Sequence, residues 1–240
     1  MSSRRWGRQK KKPKGYDYLK PVLDALDSEM REAVNAPHEG KTKSQALWPI
    51  HQINWQRSRY IYDMFYKYKK ISRELYEWCL REKLCDKGLC AKWKKPGYER
   101  LCSVQAIKTN NTNYGSVSIC RVPRQELEPG SQIQSQLTGC RGCASGKAGY
   151  RNIFGNKYGQ YLAAIQIARE EAAEKKGKTY VAKKEWTFAM DDDEEEEALE
   201  QSNEIAKNVK RKADEEEGSW LGGADRKKRK MEEEDTTDEA

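Results

Sequence analysis

Four cysteines set the terms on which this chain can fold. Cys102, Cys120, Cys140 and Cys143 are separated by seventeen, nineteen and two residues. The last two belong to Gly139-Cys140-Arg141-Gly142-Cys143, a C-x-x-C knuckle with a glycine before each cysteine. Glycine lets the backbone bend tightly enough for amides to point at the sulfurs. Turn formers fill the intervals: Thr109-Asn110-Asn111-Thr112-Asn113, Gly115, Pro123, Pro129-Gly130. Val104, Ile107, Val117, Ile119, Val122 and Ile133 are scattered among them. A segment with so little apolar material needs a staple, and four thiols suit zinc. One C-x-x-C plus two isolated cysteines is a weaker pattern than two close pairs, so four reduced thiols in a polar loop is the alternative. A disulfide framework fits less well. The total of seven cysteines is odd, and Met1 to Lys14 is basic without the apolar core of a secretory signal. Cys79 reads as a small buried apolar residue. Cys85 and Cys90, five apart on a short helix with no histidine beside them, make a poor metal pair.

Charge divides the chain. Residues 1–146 carry 28 Lys and Arg against 14 Asp and Glu, net +14; residues 147–240 carry 18 against 24, net −6, which together give the chain's +8. A basic half of this size points to nucleic acid; a merely solvated basic surface is the alternative. Only 36% of the residues are hydrophobic, low for one compact domain of 240 residues. No apolar run is long enough to span a membrane.

Along the chain, residues 1–14 form a basic arm with Arg4, Arg5, Arg8, Lys10, Lys11, Lys12 and Lys14. Its charges suit phosphates or nuclear import. Residues 15–96 read as helical. A first helix is expected over 21–34, with Leu19, Val22, Leu23, Leu26, Met30 and Val34 on one side. Trp48-Pro49 is expected to open the longest helix, running to about Lys69, with a stripe of Ile50, Ile53, Tyr60, Ile61, Met64, Phe65 and Tyr68. Trp55, Tyr62 and Tyr66 lie off that stripe and suit base stacking or burial by a partner. Ser72 and Asp86 are N-caps for two shorter helices, the second ended by Pro96-Gly97.

No catalytic constellation emerges. Gly142 to Lys147 imitates a P-loop but is one residue short, and no Ser or Thr follows the lysine. His38 and His51 are the only histidines, and neither has metal-pair spacing. The chain is expected not to be an enzyme and to have no small-molecule substrate.

Several blocks follow one another in a familiar order: Leu23-Asp24-Ala25-Leu26-Asp27, Pro37-His38-Glu39-Gly40-Lys41, Leu47-Trp48-Pro49-Ile50, Arg59-Tyr60-Ile61-Tyr62-Asp63, Ile71-Ser72-Arg73-Glu74-Leu75-Tyr76-Glu77, Ala91-Lys92-Trp93-Lys94-Lys95, Gly97-Tyr98-Glu99-Arg100-Leu101-Cys102, Ile119-Cys120-Arg121-Val122-Pro123 and Gly139-Cys140-Arg141-Gly142-Cys143. Through them residues 15–146 resemble the G-ten family, also called the bud-site-selection protein thirty-one family, of nuclear spliceosome components. The resemblance implies a helical N-terminal half, a cysteine-rich zinc module, and membership of the protein group around the catalytic RNA of activated spliceosomes. The family pattern has further cysteines where this chain has Ser103, Ala106, Ser118, Ser135 and Thr138. A multi-zinc cluster cannot form from what remains. Four thiols are the right number for one tetrahedral site, so the expected content is one zinc, or none in a degenerate copy.

The tail, 147–240, lies outside the resemblance. It reads as a solvated, low-complexity charged segment, disordered or partly helical, with 158–176 as the helix candidate and seven acidic residues from Asp191 to Glu197 beyond it. Lys207, Lys210, Arg211 and Lys212, then Arg226, Lys227, Lys228, Arg229 and Lys230, form two basic clusters like a bipartite nuclear-import signal. Such a tail is expected to add little to the stability of the rest. The expected fold class is α+β, with a helical region over 15–96, a loop-rich zinc-stapled module over 97–146 and a charged tail. The expected function is that of a nuclear pre-mRNA splicing factor, a scaffold binding spliceosome proteins, small nuclear RNA and pre-mRNA. Candidate RNA contacts are the arm together with Lys92, Lys94, Lys95, Arg121 and Arg141. The rival is a zinc-dependent transcriptional cofactor or DNA-binding protein, which lacks a repeated finger or recognition helix here.

Overall fold

Three short side chains start three of the helices. Thr42 and Gln45 form a reciprocal capping box: the Thr42 hydroxyl accepts from the Gln45 amide at 3.3 Å, and the Gln45 side chain accepts from the Thr42 amide at 2.9 Å. Ser72 accepts from the amide of Leu75 at 3.3 Å, and Asp86 from that of Leu89 at 3.1 Å. Each satisfies a donor that the first helical turn leaves without an intrahelical partner. The helices are α1 (Tyr16–Asn35), α2 (Lys43–Tyr66), α3 (Arg73–Arg81), α4 (Lys87–Trp93) and α5 (Leu162–Lys175). They belong to a computed structural model that describes residues 12–111, 116–131, 133–145, 152–155 and 161–177. All of these lie in one unit, Met1–Ala189; the second, Met190–Ala240, falls outside the described residues, as do both basic clusters of the tail.

The expected stripes build the core. Leu19, Val22, Leu23 and Leu26 of α1 are buried with Ile53, Tyr60, Ile61 and Met64 of α2. Arg57 of α2 holds Asp27 of α1 at 3.0 Å along the edge of this contact. Both long helices begin earlier than their prolines suggested. Pro21 and Pro49 lie inside α1 and α2 rather than at their first positions. For α2 the capping box places the start six residues before Pro49.

The module from 97 to 146 contains no strand among the described residues, which corrects the α+β expectation: the described chain is helical. Single 3-10 turns at Val104–Ile107, Thr109–Asn111, Ile119–Arg121 and Arg124–Glu126 take the place of strands. Their amides bond to carbonyls three residues back, as Arg121 does to Ser118 at 2.8 Å and Glu126 to Pro123 at 3.0 Å. The reason is local. β-branched residues set singly among prolines, glycines and asparagines give no run that could pair as a ladder.

The tail is also revised. Leu162, Ala163 and Ile167 of α5 join the same core as α1 and α2. The buried Tyr60 hydroxyl donates to Gln166 Oε1 at 2.6 Å, and Lys70 pairs with Glu170 at 3.2 Å. The folded body therefore runs past residue 146.

Candidate metal centre

Tryptophans carry the cysteine module onto the helices. The indole N–H groups of Trp55 (α2) and Trp93 (α4) both donate to the carbonyl of Leu101, each at 2.9 Å. Their rings meet edge to face at 5.8 Å, and Phe154 packs on Trp55 at 5.9 Å. A buried carbonyl with two lone pairs is thus satisfied twice, and it fixes the residue immediately before Cys102. Trp55, 2% exposed, is buried by its own chain and is neither a stacking platform nor a partner contact. Its position off the α2 stripe reflects a helix covered on two sides, by α1 and by the module.

Cys102, Cys120, Cys140 and Cys143 are all buried, and their sulfurs lie within 4.8 Å of one another. The Cys102–Cys120 and Cys120–Cys143 separations are 3.9 and 3.8 Å. Four thiolates around one zinc at about 2.3 Å would stand about 3.8 Å apart in a tetrahedron. The donor set fits a metal ion of that size and softness. The knuckle works as its glycines suggested: the Gly142 amide points at Cys140 Sγ at 3.5 Å, and the Cys143 amide bonds to the Cys120 carbonyl at 2.8 Å. Gly139 has φ +70°, and a Cβ there would meet the Trp48 ring at 2.7 Å.

Hydrogen bonding among the thiols separates their acidities. Cys143 is driven well below the usual thiol range by the neighbouring thiols, first Cys102, with the charge of Arg121 adding to the effect. Cys102 is pushed up, chiefly by Cys120. Metal binding by thiols requires the deprotonated form, so a bound cation would favour thiolates in this nest.

Two of the five positions where the resemblance called for more cysteines, Ser118 and Thr138, lie against this centre. Thr138 Oγ1 is 3.7 Å from Cys102 Sγ, and Ser118 Oγ is 3.5 Å from Cys120 Sγ. The Ser118 hydroxyl donates to that of Ser135 at 3.0 Å. Ala106, Ser135 and Thr138 are buried. Hydroxyls bonded to one another occupy the space beside the four thiols. No spacing rule pointed to these residues. Cys85 and Cys90, with sulfurs 2.7 Å apart, gain no third ligand among the described residues.

The cations are arranged differently from one another. Arg121 is turned inward: it donates to the carbonyls of Cys143 and Gly97, each at 2.6 Å, and its guanidinium lies over Tyr98. Lys92 sits over Tyr98, Lys94 over Tyr66 and Lys12 over Tyr16. Lys14, Lys95 and Arg141 are exposed. Arg4, Arg5, Arg8, Lys10 and Lys11 lie outside the described residues, as do the tail residues Lys207 to Lys212 and Arg226 to Lys230. His38 and His51 take no part in the thiol group.

Fold and site together define a class: a helical protein with a four-thiol, metal-competent centre tied to its core through indoles. A family model described as pre-mRNA-splicing factor BUD31 matches residues 1–145. A BUD31 homolog of Branchiostoma belcheri is 54% identical over 136 residues, covering 57% of this chain and 94% of that protein. The pre-mRNA-splicing factor cwf14 of Schizosaccharomyces pombe is 45% identical over 145 residues, 60% of this chain and 99% of its own. The pre-mRNA-splicing factor BUD31 of Saccharomyces cerevisiae is 45% identical over 148 residues, 58% and 94%. The chain belongs to the BUD31 family of pre-mRNA-splicing factors, the family its sequence blocks resembled. That is a family of splicing factors and not of enzymes.

Proposed function

We propose that this splicing factor acts in the nucleus as a non-catalytic scaffold of the activated spliceosome, binding RNA and spliceosome proteins. One zinc, held by Cys102, Cys120, Cys140 and Cys143, staples the 97–146 module. The observation that carries the reading is the buried set of four sulfurs within 4.8 Å of one another, two of their separations at 3.8 and 3.9 Å, in a chain of this family. When bound, the zinc would serve as a structural cross-link in a segment that has no strand among its described residues; structural zinc sites of this kind supply about 10–16 kcal/mol of apparent binding energy. The chain's own residues shape the centre: the Gly142 amide points at the Cys140 sulfur, and Arg121 ties the Cys143 carbonyl to that of Gly97.

RNA binding rests on charge. The N-terminal arm and the exposed cations Lys95 and Arg141 belong to the half with net +14. They are proposed to meet phosphates, together with Lys92 and Lys94. On a duplex, each neutralised phosphate steepens the logarithmic salt dependence by roughly 0.9. Replacing Lys10, Lys11 and Lys12 by alanine is expected to flatten that slope by about two to three units, with base preference little changed. An unchanged slope with loss of co-purifying spliceosome proteins would make the arm a protein contact. An unchanged slope with unchanged association would remove the arm from the account.

A further inference from the structure

A groove of about 480 Å³ runs between the first turns of α2 and the Cys140–Cys143 knuckle. Trp48 lines it beside three carboxamides, Gln45, Gln52 and Gln134, and two cations, Lys41 and Arg141. No acidic side chain is among the residues lining it. On the other side of Pro49 and Gln52 lies a second groove, of about 350 Å³, lined by Glu29 and Glu32. The shared ridge separates a basic groove from an acidic one. The indole is set in place from beneath: its N–H donates to the carbonyl of Gln136 at 2.8 Å, and Gly139 fits so closely that a Cβ there would strike the ring. Arg141 is set as well, its amide bonded to the Ile153 carbonyl at 2.6 Å and its guanidinium lying where a Cβ on Gly155 would be.

We propose that this groove binds one unpaired nucleotide of single-stranded RNA, a reading that rests on the RNA-binding function proposed above. The base stacks on Trp48. The carboxamides of Gln52 and Gln134, each both donor and acceptor, and the NH2 of Gln45, whose oxygen accepts from the Thr42 amide, meet the base edge, and Lys41 and Arg141 hold the flanking phosphates. Only an unpaired base offers its face and its edge together, so duplex RNA is excluded. An indole whose N–H is already bonded and whose position is fixed by Gly139 loses little freedom on stacking. The residues involved are mostly not those singled out by charge alone: Trp48 and the three glutamines add base recognition to a phosphate-binding half.

The test uses the full chain and two probes: a mixed-sequence single-stranded RNA carrying one 4-thiouridine, and a blunt-ended duplex RNA of equal length without loop or overhang. The wild type is expected to bind the single strand more tightly and, on irradiation, to cross-link within the peptide containing Trp48. Trp48→Leu is expected to weaken single-strand binding by about tenfold, in the range of one base stacked on one aromatic ring. Because that change can disturb the knuckle, Gln52→Ala with Gln134→Ala provides a second variant that leaves the indole in place. It is expected to weaken single-strand binding several-fold with duplex affinity and salt slope unchanged. Equal loss on both probes, no loss on either, or cross-links confined to other peptides would overturn the proposal. If the arm substitutions flatten the slope while the groove variants change nothing, the groove proposal fails and the RNA reading stands. If the wild type binds neither probe, both fail.

Discussion

Gly139 carries two constraints in one residue. Its φ of +70° is a conformation that costs an L-residue about 1–2 kcal/mol, and its missing Cβ makes room for Trp48. Gly139→Ala is therefore expected to cost about 2–4 kcal/mol, strain and overpacking together. In a body of this size that lowers Tm by very roughly 5–15 °C, and calorimetry would read it directly. A drop below 2 °C would mean that Trp48 moves aside freely. Cys140→Ser tests the centre itself. Removal of one thiolate from a closed tetrahedral site is expected to abolish metal retention and open 97–146 to protease. Retention of metal and of protease resistance in that variant would take Cys140 out of the ligand set. The thiols also predict a direction with pH. Metal binding requires deprotonated sulfur, so acid is expected to release the ion and, with it, the stability it lends the module. That loss should be absent from protein already stripped by a chelator.

The elements were legible where their signals are local. Periodic leucines placed α1, and Ser72 and Asp86 marked the starts of α3 and α4, because a cap acts within one turn. The two prolines misled, since a proline fits a first turn best but can sit farther inside a helix held by tertiary contacts, as Pro49 does behind the Thr42–Gln45 box. The packing of α5 could not be read at all. An alanine-rich segment following a basic module looks like a tail until the bond from the buried Tyr60 hydroxyl to Gln166 is known. Deleting residues 156–240 is now expected to destabilise the body. Loss of buried Leu162 and Ile167 removes about 1.5–3 kcal/mol each, an upper bound given residual burial in the unfolded chain, and exposes Tyr60. A Tm decrease of about 5–15 °C is the expected result. Tyr60→Phe gives an independent check, because it leaves the buried Gln166 short of a partner at about 1–3 kcal/mol. If the truncated chain melts with the full chain, α5 does not contribute to the core.

At the scale of the whole molecule, a helical body and a loop-rich module are joined through the carbonyl of Leu101 and the four sulfurs that follow. The grouping of the four cysteines was readable from spacing and from the glycine knuckle. The three-dimensional reason for it was not. Trp55 and Trp93 converge on one carbonyl from two helices, and Ser118, Ser135 and Thr138 fill the space beside the thiols; long-range packing of that kind leaves no periodicity in the chain. The hydroxyls also bear on stoichiometry, because at these positions they offer weak ligands where a second ion would need thiolates. The most direct measurement is therefore a metal count on the purified full chain, by native mass spectrometry together with elemental analysis. One zinc per chain, released together with the protease resistance of 97–146 when a chelator is added, is the predicted result. A folded, protease-resistant chain with no metal would contradict the account, and two or three ions per chain would contradict its reading of the residues around the four cysteines.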